Sequence, residues 1–228
     1  MSEEKAVLGI LMLETRFPRI VGDVGNPQTY PFPVKLKKIK GANLRTVVWK
    51  TDPALEDAFV KGAKELEREG VKAITTSCGF TVLFQDKLAK AVKVPVFASS
   101  LIMIPWAYRL LNGKIGVITA NADSLSQAHI ESAGAKDIPL AIKGLENKKE
   151  FRKVILEDAL DGDFTIIEEE VIETARSLLQ ENPDIKGLVL ECHNLPPYTP
   201  RIQRELGLPV FDFLSLAQFV YDAIANTP

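Results

Sequence analysis

Residues 71–97 read VKAITTSCGFTVLFQDKLAKAVKVPVF, and residues 185–211 read IKGLVLECHNLPPYTPRIQRELGLPVF. At an offset of 114 residues the two stretches align without a gap. Lys72 meets Lys186, Cys78 meets Cys192, and Pro95-Val96-Phe97 meets Pro209-Val210-Phe211. Val71, Ile74 and Val94 face Ile185, Leu188 and Leu208 as apolar equivalents. Five identities in 27 positions carry little alone. The weight comes from a shared order: helix end, apolar strand, cysteine, helix, Val-Pro or Leu-Pro strand. Upstream, Val7-Leu8-Gly9-Ile10 resembles Lys114-Ile115-Gly116-Val117 at an offset of 107, so the loops of the two halves differ in length. A repeat of this size predicts two similar lobes related by a pseudo-twofold axis.

Outward from the repeat, short β-rich apolar runs bounded by turn residues predict buried parallel strands. They are Val7–Leu13, Thr46–Lys50, Ala73–Thr76, Pro95–Ala98, Ile115–Thr119, Leu140–Lys143, Gly187–Leu190 and Val210–Phe213. Amphipathic helices lie between most of them. Asp52-Pro53 opens one that runs to Glu69 and ends at Gly70; Asp163–Thr165 opens another that runs to about Gln180, before Pro183. This alternation predicts an α/β fold: two pseudo-symmetric parallel-sheet lobes with helices on both faces and an active site in the cleft between them. Residues 1–100 form the first lobe, with the C-terminal segment 214–228 available to cross over to it, and residues 101–213 form the second. The stretch Glu14–Arg45 breaks the alternation with four prolines, three glycines and a basic cluster at Lys35–Lys40. It leaves the carboxyl edge of the sheet, where ligand-binding loops gather. A functional loop and a surface or subunit-contact excursion both fit it, and the lysines read as a solvated face.

Composition narrows the function. The 228 residues carry a net charge of −2, with 46% hydrophobic and 25% charged residues. No basic field attracts nucleic acid or an anionic membrane, and no apolar run is long enough to span a bilayer. Acidic residues precede the short apolar stretch Ala6–Leu13, which argues against a secretory signal. Two cysteines make no disulfide framework, and a reducing, cytoplasmic setting is expected.

Cys78 and Cys192 are the chain's only cysteines and stand at equivalent strand ends. A single strand-end cysteine is ordinarily a small buried hydrophobe; two at repeat-equivalent points of one cleft suggest chemistry. Each precedes a turn whose free N–H groups are expected to lower the thiol pKa and to hold a carboxylate. Two opposed thiols suit proton abstraction at a carbon next to a carboxylate, followed by return of a proton from the other face. Ser77, Thr81 and Asn194, with backbone N–H groups, are placed to stabilise the enediolate-like charge. Zinc fits poorly, since only His129 and His193 could supplement the thiols and His193 adjoins Cys192. His193 reads as a rim residue or substrate contact.

At these residues the chain resembles the aspartate/glutamate racemase superfamily, which includes amino-acid and hydantoin racemases, maleate cis-trans isomerases and arylmalonate decarboxylases. The resemblance rests on the two-lobed repeat, on Cys78 and Cys192, and on the strand end Gly116-Val117-Ile118-Thr119-Ala120-Asn121. It implies that Cys78 and Cys192 are the acid/base pair. Gly79, Phe80, His193 and Asn194 then surround the substrate carboxylate, with Thr119 and Asn121 nearby. It also implies no cofactor, no metal and a homo-oligomer. Many amino-acid racemases of the group have Asn-Thr after the first cysteine and Thr after the second. Gly79-Phe80 and His193-Asn194 stand here instead, and Phe80 favours a less polar or bulkier acid than aspartate or glutamate. Arg16, where the first strand reaches the cleft, is either a second carboxylate anchor or a surface arginine. Both cysteines being present separates the chain from decarboxylases of the arylmalonate type, which work with one thiol. The expected function is a cofactor-independent racemase or epimerase of a small carboxylic acid. Two alternatives stay open: a maleate-type isomerase with covalent thiol addition, and a small-acid binding protein without turnover.

Overall fold

The computed structural model describes residues 7–50 and 52–225. Its eight strands are Leu8–Met12 (β1), Val34–Lys38 (β2), Ala73–Thr76 (β3), Val96–Phe97 (β4), Lys114–Thr119 (β5), Leu140–Gly144 (β6), Ile185–Leu190 (β7) and Val210–Phe211 (β8). The helices are Glu56–Arg68 (α1), Gln85–Ala91 (α2), Ile104–Leu111 (α3), Gln127–Ser132 (α4), Lys149–Phe151 (α5), Phe164–Glu181 (α6), Thr199–Leu206 (α7) and Phe213–Ile224 (α8). The strands form two four-stranded sheets of the same topology, β2-β1-β3-β4 and β6-β5-β7-β8, and every pairing is parallel. The α/β reading and the repeat both hold at this level.

The helix boundaries follow the chain's own signals. The Asp52 side chain accepts from the Ala54 N–H, Pro53 begins a short 3-10 turn that runs into α1, and Gly70 stops it at φ +88°. The Asp163 carboxylate caps α6 through the N–H groups of Thr165 and Ile166. The glycines shared by the two central strands have a common purpose. A methyl on Gly9 would lie 2.9 Å from Leu66 of α1, and one on Gly116 would lie 3.1 Å from Leu178 of α6. Their absence lets each helix seat directly on its sheet.

Two predictions about the first lobe need correction. Thr46–Lys50 is no strand: Arg45–Trp49 forms a π-helical turn with Val47 and Val48 both buried. The second strand of the lobe is Val34–Lys38 instead, inside the stretch expected to be a loop. It is an edge strand with only one paired neighbour. Lys37 reaches Glu65 of α1 and Lys35 reaches Glu69 just past its end, a charged edge of the kind that discourages edge-to-edge association.

A continuous core runs through both lobes, from Leu11, Phe59 and Ile74 to Ile115, Val171 and Leu188. A second apolar cluster joins Leu8, Ile10 and Phe97 of the first sheet to Phe213, Leu216 and Ala217 of α8. The last helix thus covers the first sheet, fixed at its start by Asp212 and Ser215. Among the described residues no helix is long and apolar enough to cross a membrane.

Candidate active site

The carboxyl ends of β3 and β7 bring the two cysteines to one cavity. In the first lobe Thr75 and Thr76 donate their hydroxyls to the carbonyls of Phe97 and Ala98, at 2.6 and 2.8 Å, tying β3 to the short β4. The Ser77 hydroxyl accepts from the Leu13 N–H at 2.9 Å. Cys78 is extended, and a 3-10 turn over Gly79–Phe84 starts directly after it. The Thr81 N–H closes back on the Cys78 carbonyl at 3.2 Å. The second lobe repeats the closure, with the Leu195 N–H on the Cys192 carbonyl at 3.0 Å. The same backbone closure at two points 114 residues apart brings both cysteines to one cavity.

The cavity is narrow. Cys78, Ser77, Gly79 and Phe80 form one wall, and Cys192, Glu191, His193 and Asn194 face them. Leu13, Phe17, Leu44, Val48, Ile155 and Leu156 supply an apolar surround. The π-helical turn Arg45–Trp49 has a counterpart at Arg152–Leu156, also π-helical and 107 residues on. These paired turns flank the mouth, where the Arg152 guanidinium lies 5.8 Å from the Trp49 ring centroid. π-Helical turns are rare and concentrate at functional sites.

Burial decides the ionisation of the thiols. It pushes both sulfhydryls well above their ordinary value, and the charge of Glu191 adds to the shift. The N–H groups of Phe80 and Asn194 act in the opposite direction on Cys78 and Cys192 respectively. They are the turn donors expected from the sequence, but desolvation outweighs them, so the expected lowering does not occur. A thiol held neutral is a poor nucleophile, and the thiolate formed from it is a strong base.

Glu191 and His193, on either side of Cys192, are both fully buried, and burial shifts each toward its neutral form. The carboxyl of Glu191 rises to about 7, opposed by hydrogen bonds from the Thr119 hydroxyl and the Ala120 N–H. The imidazole of His193 falls to about 4. Its Nδ1 lies 3.0 Å from the Thr76 carbonyl and its Nε2 accepts from the Ser100 N–H at 3.2 Å. Those partners set the tautomer, with the proton on Nδ1, and tie the second lobe to the first. His193 is therefore no rim residue: its imidazole is spent on lobe packing.

Seven residues expected at the site line the cavity: Cys78, Cys192, Ser77, Gly79, Phe80, His193 and Asn194. Three lie behind it. The Thr81 hydroxyl is bound to the Thr76 hydroxyl and the Cys78 carbonyl, Thr119 supports Glu191, and Asn121 is buried with its side-chain oxygen on the Ser124 N–H. Arg16 lies outside. It is about two-thirds exposed and pairs with Asp158 of the second lobe at 3.0 Å, so the surface reading of this arginine holds. Arg19, three residues on, takes the inner position. It bonds Asp23 at 2.6 Å and Thr15 at 2.7 Å and lies over the Phe17 ring. Asp23 in turn accepts from the Asn194 side chain at 2.7 Å, and the Val24 N–H reaches the His193 carbonyl. The loop after β1 thus packs on the second lobe's cysteine turn. Arg19 and Asp23 carried no pattern in the sequence. Glu191 did: it is a charged residue closing an otherwise apolar strand, where the first half has Ser77.

A two-lobed α/β fold with a cysteine from each lobe in a shared cavity defines the class. Residues 43–217 match the Asp/Glu/Hydantoin racemase family model, and the chain belongs to that family. Dimethylsulfoniopropionate lyase of Durusdinium sp. clade D is 28% identical over 232 residues, which cover 98% of this chain and 76% of that protein. Unliganded arylmalonate decarboxylase superposes with a TM-score of 0.66 at 14% identity, over 98% of this chain and 94% of that one. Glutamate racemase from Francisella tularensis subsp. tularensis SCHU S4, in complex with D-glutamate, gives 0.59 at 20% identity, over 99% and 85%. The structural likenesses establish the fold.

Proposed function

We propose that the chain is a cofactor-independent enzyme that removes the proton from the carbon next to a small acid's carboxylate, with Cys78 and Cys192 as its acid/base pair. The observation that carries this reading is the placing of the chain's only two cysteines in one narrow cavity, on pseudo-equivalent turns. One cysteine, in the minor thiolate form that burial makes strongly basic, takes the α-proton, and the C–H electron pair spreads onto the carboxylate as an enediolate. The thiol on the other wall delivers its own proton to the opposite face, the enediolate pair forms the new C–H bond, and the carbon is inverted. The substrate is a small acid, and the apolar surround favours one less polar than aspartate.

A second outcome of the same first step is favoured by the relatives named dimethylsulfoniopropionate lyase. If the substrate carries a leaving group on the β-carbon, the electron pair left by the α-proton forms a carbon–carbon double bond. The leaving group departs with its own bonding pair. Only one thiol is then needed as base.

One experiment separates the two. Proton NMR in deuterium oxide follows both enantiomers of small amino and hydroxy acids, substituted hydantoins and dimethylsulfoniopropionate. Loss of an α-proton signal with inversion supports racemisation, and new vinyl signals with dimethyl sulfide support elimination. Silence across the panel counts against carbanion chemistry on these acids.

A further inference from the structure

Glu191 has one oxygen engaged and one bare. Oε2 accepts from the Thr119 hydroxyl at 2.8 Å and lies 3.5 Å from the Ala120 nitrogen. Oε1 is buried without a hydrogen-bond partner, although Glu191 lines the cavity. That oxygen lies where the two cysteine turns meet: a methyl group on Gly79, the residue after Cys78, would sit 2.2 Å from it. A buried acceptor left unpaired is destabilising, and a buried unpaired charge is more so.

The surrounding groups do not answer an anion. Cys78 and Cys192 flank the carboxyl as neutral thiols. His193 is neutral and bound on both nitrogens. Arg19, the cavity's cation, is engaged by Asp23 and Thr15. As a neutral acid, by contrast, Glu191 keeps Oε2 as acceptor for its two donors and carries its proton on Oε1. An oxygen so protonated needs an acceptor from the cavity, and a substrate carboxylate is one.

We propose that Glu191 is a further catalytic residue, which in its neutral form donates a hydrogen bond from Oε1 to the substrate carboxylate and to the enediolate formed when the α-proton leaves. This rests on reading the cavity as a carbanion site. Protein carboxyls held neutral by apolar surroundings can donate to a developing oxyanion in this way. The burial that raises the Glu191 carboxyl to about 7 keeps it protonated through the lower half of the neutral range. The ligand class is a small acid whose carboxylate sits on the floor between the two sulfurs.

Iodoacetate and iodoacetamide test this without turnover, because they carry the same electrophilic carbon and differ in the carboxylate. Their alkylation rates on the native protein are measured from about pH 5.5 to 8.5, relative to free glutathione, with the modified cysteine located by peptide mass. The iodoacetate preference is expected to fall about tenfold as pH rises through 7 in the wild type, the scale of one hydrogen bond to a charged group. It is expected to be flat in Glu191→Gln, whose amide donates but does not titrate. An infrared carbonyl band of a protonated carboxyl, lost between about pH 6 and 8 and absent from Glu191→Gln, is the second expected result. The wild-type profile and band remain decisive if the variant does not fold. A pH-independent preference, an equal fall in Glu191→Gln, no alkylation by iodoacetate, or no titrating band overturns the proposal. So does a preference that rises with pH, which assigns Glu191 to a substrate cation instead. Because neither readout depends on the reaction catalysed, a failure here is distinct from a failure of the proposed function.

Discussion

The two cysteine turns share one backbone closure and differ in almost every side chain. Position by position, Ser77 faces Glu191, Gly79 faces His193 and Phe80 faces Asn194. Cys78 is partly exposed, while Cys192 is buried. The first wall is small and apolar, with Ser77 spent on the Leu13 N–H. The second carries a carboxyl, an imidazole and an amide, and the loop after β1 braces it through Asp23. The lesson is that strand and turn geometry aims the sulfurs, while the neighbouring residues set each wall's chemistry. The smaller wall also makes room for the larger one, since Gly79 lies against the Glu191 carboxylate and carbonyl.

The strongest way to break the equivalence is to delete one sulfur at a time. Cys78→Ala and Cys192→Ala are each expected to lower racemisation by about a thousandfold or more, with α-proton exchange surviving from one enantiomer only. NMR in deuterium oxide reads this directly. Should either single variant racemise fully, the two-thiol mechanism is wrong. For elimination, one variant is expected to be dead and the other only slowed.

The second wall is expected to carry opposing pH dependences that the first lacks. The Glu191 carboxyl is raised from 4.5 to about 7, so its contribution to stability is lost as pH rises between those values. The His193 imidazole is lowered from 6.5 to about 4, so its contribution is lost as pH falls between those values. Each amounts to roughly 3 kcal/mol, and the two largely offset each other where their ranges overlap. Urea unfolding across pH should show Glu191→Gln removing the loss on the alkaline side and His193→Gln the loss on the acid side. Unchanged profiles in both variants would dismiss the asymmetry.

Gly79→Ala sharpens the contact between the walls. The added methyl meets the Glu191 carbonyl and Oε1 at 2.2 Å, and a stability loss of about 2–3 kcal/mol by urea unfolding is expected. Ser77→Ala, which removes one hydrogen bond, is expected to cost about 1 kcal/mol. Equal losses in the two variants would mean that the walls do not press on each other. The smallest effect is reserved for Arg16→Ala. Its exposed pair with Asp158 is worth less than about 1 kcal/mol, and KM for the substrate should stay unchanged. A raised KM would return Arg16 to the site.

The repeat made most of this architecture legible. Ala73–Thr76 was readable to the residue, and both long helices were readable from Asp52-Pro53, Gly70 and Asp163. What failed was local. Val34–Lys38 carries three charges in five residues because it is an edge strand, and its pairing with β1 is invisible in composition. The run at Arg45–Trp49 is β-branched and apolar, which looks like a strand, yet two adjacent buried valines also suit a helical turn against a cavity. Extending the 107-residue offset past Gly9 would have placed β2 near β6 and Arg45 on Arg152. Cys78 and Cys192 were legible because they recur at equivalent positions. Arg19 and Asp23 were not, because a long loop with no periodicity carries them to the cavity.

The paired π-helical turns also record a history. An extra residue wound into a helix is an irregularity retained mainly where it serves a site. Finding it at Arg45–Trp49 and again at Arg152–Leu156 is most economically explained by descent from one ancestral half that already had it. On that reading the two sides of the cleft began alike, and the differences at Ser77 and Glu191 and at Gly79 and His193 mark where each half took on its own chemistry.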